Sequence, residues 1–281
     1  MRAILIGFTA LACFAADPDP VEIVRRSVNR DQTNWRLARN YTFIQRAEQR
    51  KLDKSGKVQS VESETEEVLF LYGQPYQRLI AVNDKPLSPE KERKEQEKLA
   101  KETEKRKREF ENESKRLKRE AEIEKEREEA RKFLLELPQA YDFKLVGSES
   151  RSGRDCWVLD GTPRKGYKPR DARGAKLLSK FQGRLWIDKA EYQWVRAEAE
   201  SIDTVSFGLF LARLGKGAKL VFEQQKINDE VWLPLAVRFR FDARLGLVSR
   251  FNRDVDVTFR DYRKFQSESR VLSTEGDPPQ P

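Results

Sequence analysis

The chain has 281 residues, 37% of them charged, and a formal net charge of +9. This length allows one or two domains with a sizeable core. Histidine is absent from the whole sequence, which excludes a serine-histidine-aspartate triad and removes the commonest general base and metal ligand.

The first sixteen residues are typical of an export signal. Arg2 precedes an apolar stretch over Ala3–Leu11, and small residues follow it. Cleavage is expected near Ala15 and Ala16, and the stretch is too short for a membrane-spanning helix, which needs about 20 residues. A lipid anchor on Cys13 is a second interpretation, because that residue stands in a lipobox-like context. Soluble export is favoured, since the leucine of the lipobox is one position out of place.

A helix and an antiparallel meander follow the predicted signal. Asp19-Pro20 predicts the start of an amphipathic helix that ends near Arg39. Strand-like sequence begins at Tyr41, and turn residues separate three strands before the next break at residues 83–86.

A run of mixed charge occupies residues 90–132, with 17 basic residues, 15 acidic residues and neither glycine nor proline. Ser88 as N-cap and Pro89 in the first turn predict a helix start, and Pro138 predicts its end. Acidic residues stand four positions before basic ones, an order that stabilises helices, at Glu90/Lys94, Glu97/Lys101, Glu102/Arg106, Glu104/Arg108, Glu111/Lys115 and Glu128/Lys132. We therefore predict one long, solvated helix over residues 88–137, whose apolar residues are too sparse for a sustained coiled-coil repeat.

Strand patterns resume at Tyr141 and continue to residue 265. A short helix is predicted over residues 175–181, and residues 205–214 fit either a helix or a strand. In the last third of the chain, apolar and polar residues alternate, as in a sheet with one buried and one wet face. The apolar face is predicted to contain Leu220, Phe222, Val237, Phe239, Phe241, Val255, Val257 and Phe259.

These patterns predict an α+β fold, a curved antiparallel sheet with an N-terminal helix and a long charged helix inserted between strands. We assign residues 1–15 to the signal, 17–265 to one sheet domain interrupted by the helix, and 266–281 to a disordered tail. Two separate domains remain an alternative.

No catalytic residue, metal site or cofactor is predicted. Cys156, the one cysteine left after signal removal, is expected to be a small core residue. Asp254 and Asp256 share a strand face and could hold a cation, but two solvated carboxylates balanced by Arg253 and Arg260 are the favoured interpretation.

The basic charge does not predict a nucleic-acid partner. The charged run mixes both signs at every turn and contributes only +2 to the net charge. Strict alternation also places arginines and aromatic residues on opposite strand faces, whereas an RNA-reading sheet needs them together.

Three segments resemble the outer-membrane lipoprotein carrier superfamily, the LolA-like and RseB-like half-barrels. They are the first helix with Asn40-Tyr41-Thr42-Phe43, the hairpin from Gly183-Arg184-Leu185-Trp186-Ile187-Asp188 to Trp194-Val195-Arg196-Ala197-Glu198, and the strands after Trp232-Leu233-Pro234. The hairpin resembles the "G-x-L-W-I-D … V-R-x-E" pattern of that superfamily, and the similarity covers residues 20–87 and 138–265.

The resemblance implies an exported, non-enzymatic protein of the periplasm or outer-membrane periphery of a Gram-negative-type bacterium. It implies that the curved sheet shelters acyl chains of a lipid or lipoprotein, with the eight apolar residues lining the cavity. The chain departs from the carriers in its charged insertion and its arginine-rich strands. An envelope scaffold or sensor that contacts a partner protein through the charged helix is therefore the alternative.

Overall fold

The computed structural model describes residues 18–169, 175–207, 212–245 and 249–265. The predicted export signal, with Cys13, Ala15 and Ala16, and the predicted tail over residues 266–281 lie outside the described residues. In chain order the elements are α1 (Pro20–Ala38), β1 (Tyr41–Leu52), β2 (Val58–Leu71), β3 (Gln74–Val82), β4 (Lys85–Pro86), α2 (Pro89–Glu111), α3 (Glu113–Ala140), β5 (Tyr141–Arg151), β6 (Arg154–Pro163), a 3-10 helix (Ala175–Lys180), β7 (Phe181–Asp188), β8 (Trp194–Ser201), β9 (Val205–Phe207), β10 (Ala212–Leu214), β11 (Lys219–Ile227), β12 (Val231–Leu245) and β13 (Ser249–Lys264).

All described strands belong to one antiparallel sheet. Its order is β4-β3-β2-β1-β13-β12-β11-β8-β7-β6-β5, and the β9–β10 hairpin is attached to β12. The first and last strands of the chain, β1 and β13, pair along most of their length. The sheet ends at β4 and β5 without closing, so the predicted α+β fold with a large open antiparallel sheet is confirmed.

Helix α1 starts as predicted and covers one part of the sheet. The Asp19 side chain caps it by accepting a hydrogen bond from Val21 N at 3.0 Å. Ile23, Val24 and Val28, on one side of the helix, are buried against Leu159 and Ile187 of β6 and β7. We call this side of the sheet the helix face.

The charged segment is helical as predicted, but it consists of two helices instead of one. Asn112 is the C-cap of α2 and the N-cap of α3, and its side chain accepts from Lys115 N at 3.0 Å. Its extended backbone (φ −84°, ψ 108°) interrupts the run of helical hydrogen bonds. The predicted Glu111/Lys115 pair spans this break, so the prediction of one continuous helix through residues 111–115 was wrong.

Helix α2 does not stand free in solvent. Arg106 donates hydrogen bonds to the carbonyl oxygens of Gln74 and Pro75 at 2.9 and 3.0 Å, and its side chain is only 12% exposed. The rings of Phe110 and Tyr72 lie 5.5 Å apart. No residue of α2 is buried, as expected of a solvated helix, but the expectation of a free arm was wrong, because contacts between residues distant in sequence hold α2 on the β2–β3 turn and β3.

Helix α3 runs back along α1 and joins the core at its end. Leu134, Leu135 and Leu137 pack against the cluster formed by α1, β6 and β7. The helix continues two residues beyond Pro138, which was predicted to end it. Proline removes only its own N–H, and the N–H of Tyr141 still bonds to the carbonyl of Leu137.

Candidate functional site

The predicted apolar residues share one face of β11, β12 and β13. Phe222, Val237 and Val257 stand opposite one another across the three strands, and so do Leu220, Phe239 and Val255. Phe241 and Phe259 follow at even spacing on their own strands and share that face. The line of cross-strand partners that contains Phe222 continues through Ala197 on β8 and Leu185 on β7 to Leu159 on β6. Leu159 lies under α1. The eight residues therefore lie on the helix face, beyond the part that α1 covers.

The cover over these eight residues is uneven. Phe239 and Phe241 stack with ring centroids 4.8 Å apart and pack against a cluster of Val205, Leu214 and Ala218. Phe259 meets Phe43 edge to face at 5.9 Å. The remaining five are half-buried or, for Leu220, 37% exposed. We call Leu220, Phe222, Val237, Val255 and Val257 the apolar row.

The opposite face is made of cross-strand ion pairs and tryptophans. Arg240 binds Asp254 through two hydrogen bonds of 2.5 and 2.6 Å, and Arg238 lies 3.5 Å from Asp256. Arg184 binds Asp160 in the same way on β7 and β6. Opposite charges facing each other across strands stabilise register, so these ion pairs have a structural role.

Asp254 and Asp256 are ion-paired as the favoured interpretation required, but with other partners than predicted. Arg240 and Arg238 stand directly opposite them on β12. Arg260 pairs instead with Asp261. Arg253 points to the other face because neighbours along one strand alternate. Arg260 stands four residues from Asp256 along the strand, whereas Arg238 and Arg240 are direct cross-strand neighbours.

The hairpin that carries the resemblance has structural roles in this chain. Leu185 and Ile187 point toward α1, and Trp186 is buried on the other face with Trp232. Asp188 is 2% exposed, accepts the N–H groups of the following turn and pairs with Arg154 at 2.8 Å. These contacts explain the pattern without any ligand.

Gly183 is required by a close approach of two strands. A Cβ atom at this position would lie 2.5 Å from the carbonyl oxygen of Glu198 on β8, closer than real side chains come to backbone. The close packing of β7 against β8 therefore explains the glycine at this position, and the glycine does not indicate a ligand site.

Cys156 is fully buried, and burial raises the pKa of its thiol to about 11. A thiol with so high a pKa is a poor nucleophile. Within the described residues, no group of three metal-ligating side chains occurs. In the same part of the chain, no helix is long and apolar enough to cross a membrane.

A large cleft lies elsewhere, between the α2–α3 pair and the sheet. Its volume is about 1280 Å³, and its apolar lining comes from β2, both helices and the end of β13. The lining includes Leu69, Phe70, Leu71, Tyr72, Leu99, Ala100, Phe110, Ile123 and Phe265. We call this space the hairpin cleft.

The hairpin cleft was not predicted from the sequence, because the charged segment was expected to form one straight helix. The available signal was Asn112 with Ser114, two residues that favour helix ends, in the middle of a run of strong helix formers. Phe110 beside this break was the second signal, since a large apolar residue in a charged helix needs a partner.

Comparisons with known proteins found no matching family model and no matching curated protein. Solved structures do match. A putative outer membrane lipoprotein-sorting protein domain from Vibrio parahaemolyticus has 11% identity and a TM-score of 0.34, over 90% of this chain and 94% of that one. A LolA superfamily protein from Nitrosomonas europaea has 8% identity and a TM-score of 0.30, over 89% and 95%. In the MucA/MucB complex of Pseudomonas aeruginosa, the matched chain has 11% identity and a TM-score of 0.24, over 89% and 100%.

These structures include a member of the superfamily that the sequence resembles. At identities this low the likeness concerns the fold alone, and what those proteins bind does not carry over to this chain. The proposal of a function therefore rests on the chain's own surfaces.

Proposed function

We propose that this protein is an exported, non-enzymatic binding protein of the cell envelope that holds an acyl chain of a lipid or acylated protein against the apolar row. The observation that supports it is the continuity of the helix face. The row joins the core under α1 on one side, and its own residues remain half-buried or exposed.

The chemistry of the row suits an acyl chain. It consists of aliphatic and aromatic side chains in two neighbouring lines across three strands, and the small Ala197 and Ala199 adjoin it on β8. Apolar area left accessible to solvent gains roughly 25 cal/mol per Å² when a ligand covers it. Most charged groups of β12 and β13 lie on the other face; Arg253, which stands opposite Phe241 and two residues before Val255, is an exception and shares the helix face at one end of the row.

The alternative function predicted from the sequence, a scaffold acting through the charged helix, has less support. A reaching arm requires a free helix, and Arg106 and Phe110 hold α2 against the sheet. The ion pairs of α2 and α3 also join mainly residues three or four apart within each helix.

Titration with a fluorescent fatty acid tests the proposal. The mature chain is expected to bind the probe, and Val257→Lys is expected to weaken binding at least tenfold, because it places a charge in the middle of the apolar row. Thr258→Lys is the matched control, since Thr258 is exposed on the opposite face of the same strand. Equal binding by both variants, with both shown to be folded by circular dichroism, would contradict the proposal.

A further inference from the structure

The hairpin cleft differs from the apolar row in its charged rim. Arg39, Lys107, Lys115 and Arg116 line it, and within the described part of the chain none of them pairs with a carboxylate. Arg39 and Arg116 donate only to the carbonyl oxygens of Gly73 and Phe110.

Most of the other charged residues that line the cleft form ion pairs. Glu67 pairs with Arg78, Glu104 with Arg108, and Arg119 with Glu122. Glu109 and Glu120 are the lining carboxylates without an ion pair among the described residues. Four unpaired cations against two unpaired carboxylates give the cleft a positive balance, which attracts an anion.

The interior of the cleft is apolar and large. The Phe70 and Phe265 rings lie 5.6 Å apart at its sheet side, and Phe110, 45% exposed, stands on its helix side. Its volume of about 1280 Å³ exceeds the roughly 300–1,000 Å³ of sites for drug-sized ligands. An apolar interior with cations at the rim matches a molecule that has acyl chains and an anionic headgroup.

We propose that the hairpin cleft is a second binding site, separate from the apolar row, and that it takes an anionic phospholipid. The acyl chains lie against Leu69, Phe70 and Ile123, and the phosphate meets Lys107 and Lys115. These two lysines stand on α2 and α3 on either side of the break at Asn112, so the break brings both to one site.

Calorimetric titration with dioctanoyl phosphatidylglycerol, with dioctanoyl phosphatidylcholine as the uncharged comparison, tests the charge. Phosphatidylglycerol is expected to bind more tightly, and the double variant Lys107→Glu/Lys115→Glu is expected to lose about tenfold in affinity for it. Lys101→Glu/Lys118→Glu is the matched control, because it changes the net charge equally at exposed positions of the same helices outside the cleft. Equal affinity for the two lipids, or equal loss in both double variants, would overturn the proposal.

A second pair of variants tests the location. Ala100→Trp fills the cleft from α2 and is expected to abolish phosphatidylglycerol binding, whereas Lys101→Trp, at the next exposed position, leaves it intact. Val257→Lys leaves it intact as well, which separates this site from the apolar row.

Residues 266–281 follow Phe265, which itself lines the cleft, so the titrations are repeated without them. Binding by both the full chain and the shortened chain supports the proposal. Binding by the shortened chain alone would show that this segment is the occupant and would overturn it.

Discussion

Asp188 shows at the residue scale how a turn is stabilised by one buried carboxylate. Its side chain accepts from Ala190 N at 3.0 Å and Glu191 N at 2.6 Å, and Arg154 donates to it at 2.8 Å. Because it is 2% exposed, water cannot replace these bonds if the carboxylate is removed.

Asp188→Ala is expected to lower the free energy of unfolding by about 3 kcal/mol, because it leaves the buried turn N–H groups without their acceptor and Arg154 with Glu191 alone as its carboxylate partner. Urea unfolding followed by tryptophan fluorescence measures the change. The control Asp155→Ala removes an exposed aspartate from the same region and should cost less than about 0.5 kcal/mol. Equal stability of the two variants would show that the turn does not depend on Asp188.

Glu191 gives the molecule a pH dependence in acid. Burial tends to raise the pKa of this carboxyl, but hydrogen bonds from Trp232, Lys226 and Arg154 outweigh it and lower the pKa to about 2, from an ordinary value of 4.5. A carboxyl whose pKa is depressed in the folded state contributes stability above its unfolded pKa and loses it as the pH falls through the folded value.

We therefore expect the stability contributed by Glu191 to be lost between about pH 4.5 and pH 2. Glu191→Gln should be less stable than the unchanged protein at pH 7, and the difference should shrink across that window. Thermal melts at a series of pH values measure it, with the exposed Glu62→Gln as control. A constant difference at every pH would contradict the assigned pKa.

At the element scale, the sequence predicted which segments are helical or extended, but not where the charged segment lies. Local signals suffice for the caps, since Asp19 and Ser88 act as N-caps as expected. The fold-back at Asn112 is stabilised by Arg106 on Gln74 and Pro75, a contact over about thirty residues that no local pattern contains. The predicted pairs Glu90/Lys94 and Glu102/Arg106 form, because they lie within one helix.

The docking of α2 can be tested without unfolding the sheet. Arg106→Ala removes both hydrogen bonds to the start of β3 and the contact of the guanidinium with the Tyr76 ring, whose centroid is 5.6 Å away. Hydrogen–deuterium exchange over residues 89–111 is expected to rise by about tenfold, while the strands β6 to β8 keep their protection. Arg93→Ala, which removes only an exposed pair with Glu97, should change neither region. Unchanged exchange in Arg106→Ala would show that α2 is held by other contacts.

At the scale of the whole molecule, the alternation of β12 and β13 was sufficient to predict a sheet with two unlike faces, whereas the lining of a ligand cavity by its apolar residues stays a prediction. The pairing of β1 with β13 could not be predicted from the sequence, because its register depends on contacts between residues more than 200 positions apart. The tryptophan and arginine layer was missed for the same reason. Arg151 and Arg196 lie over Trp186 at 4.6 and 5.6 Å only after four strands have paired.

The sheet is a support with two unlike surfaces. On the ion-paired face, Arg238 pairs with Glu223 and Asp256, and Arg240 pairs with Asp254, across neighbouring strands. The helix face is covered by α1 and the end of α3 over β6 and β7, and its apolar row lies beyond this cover. Binding at the apolar row is therefore the central claim.

Photo-crosslinking with a diazirine-labelled fatty acid, followed by peptide mass spectrometry, tests that claim most directly. We expect the label on peptides from β11, β12 and β13 over residues 219–265, and its loss from these peptides in Val257→Lys but not in Thr258→Lys. No labelling of these strands, or labelling that Val257→Lys leaves unchanged, would contradict binding at the apolar row.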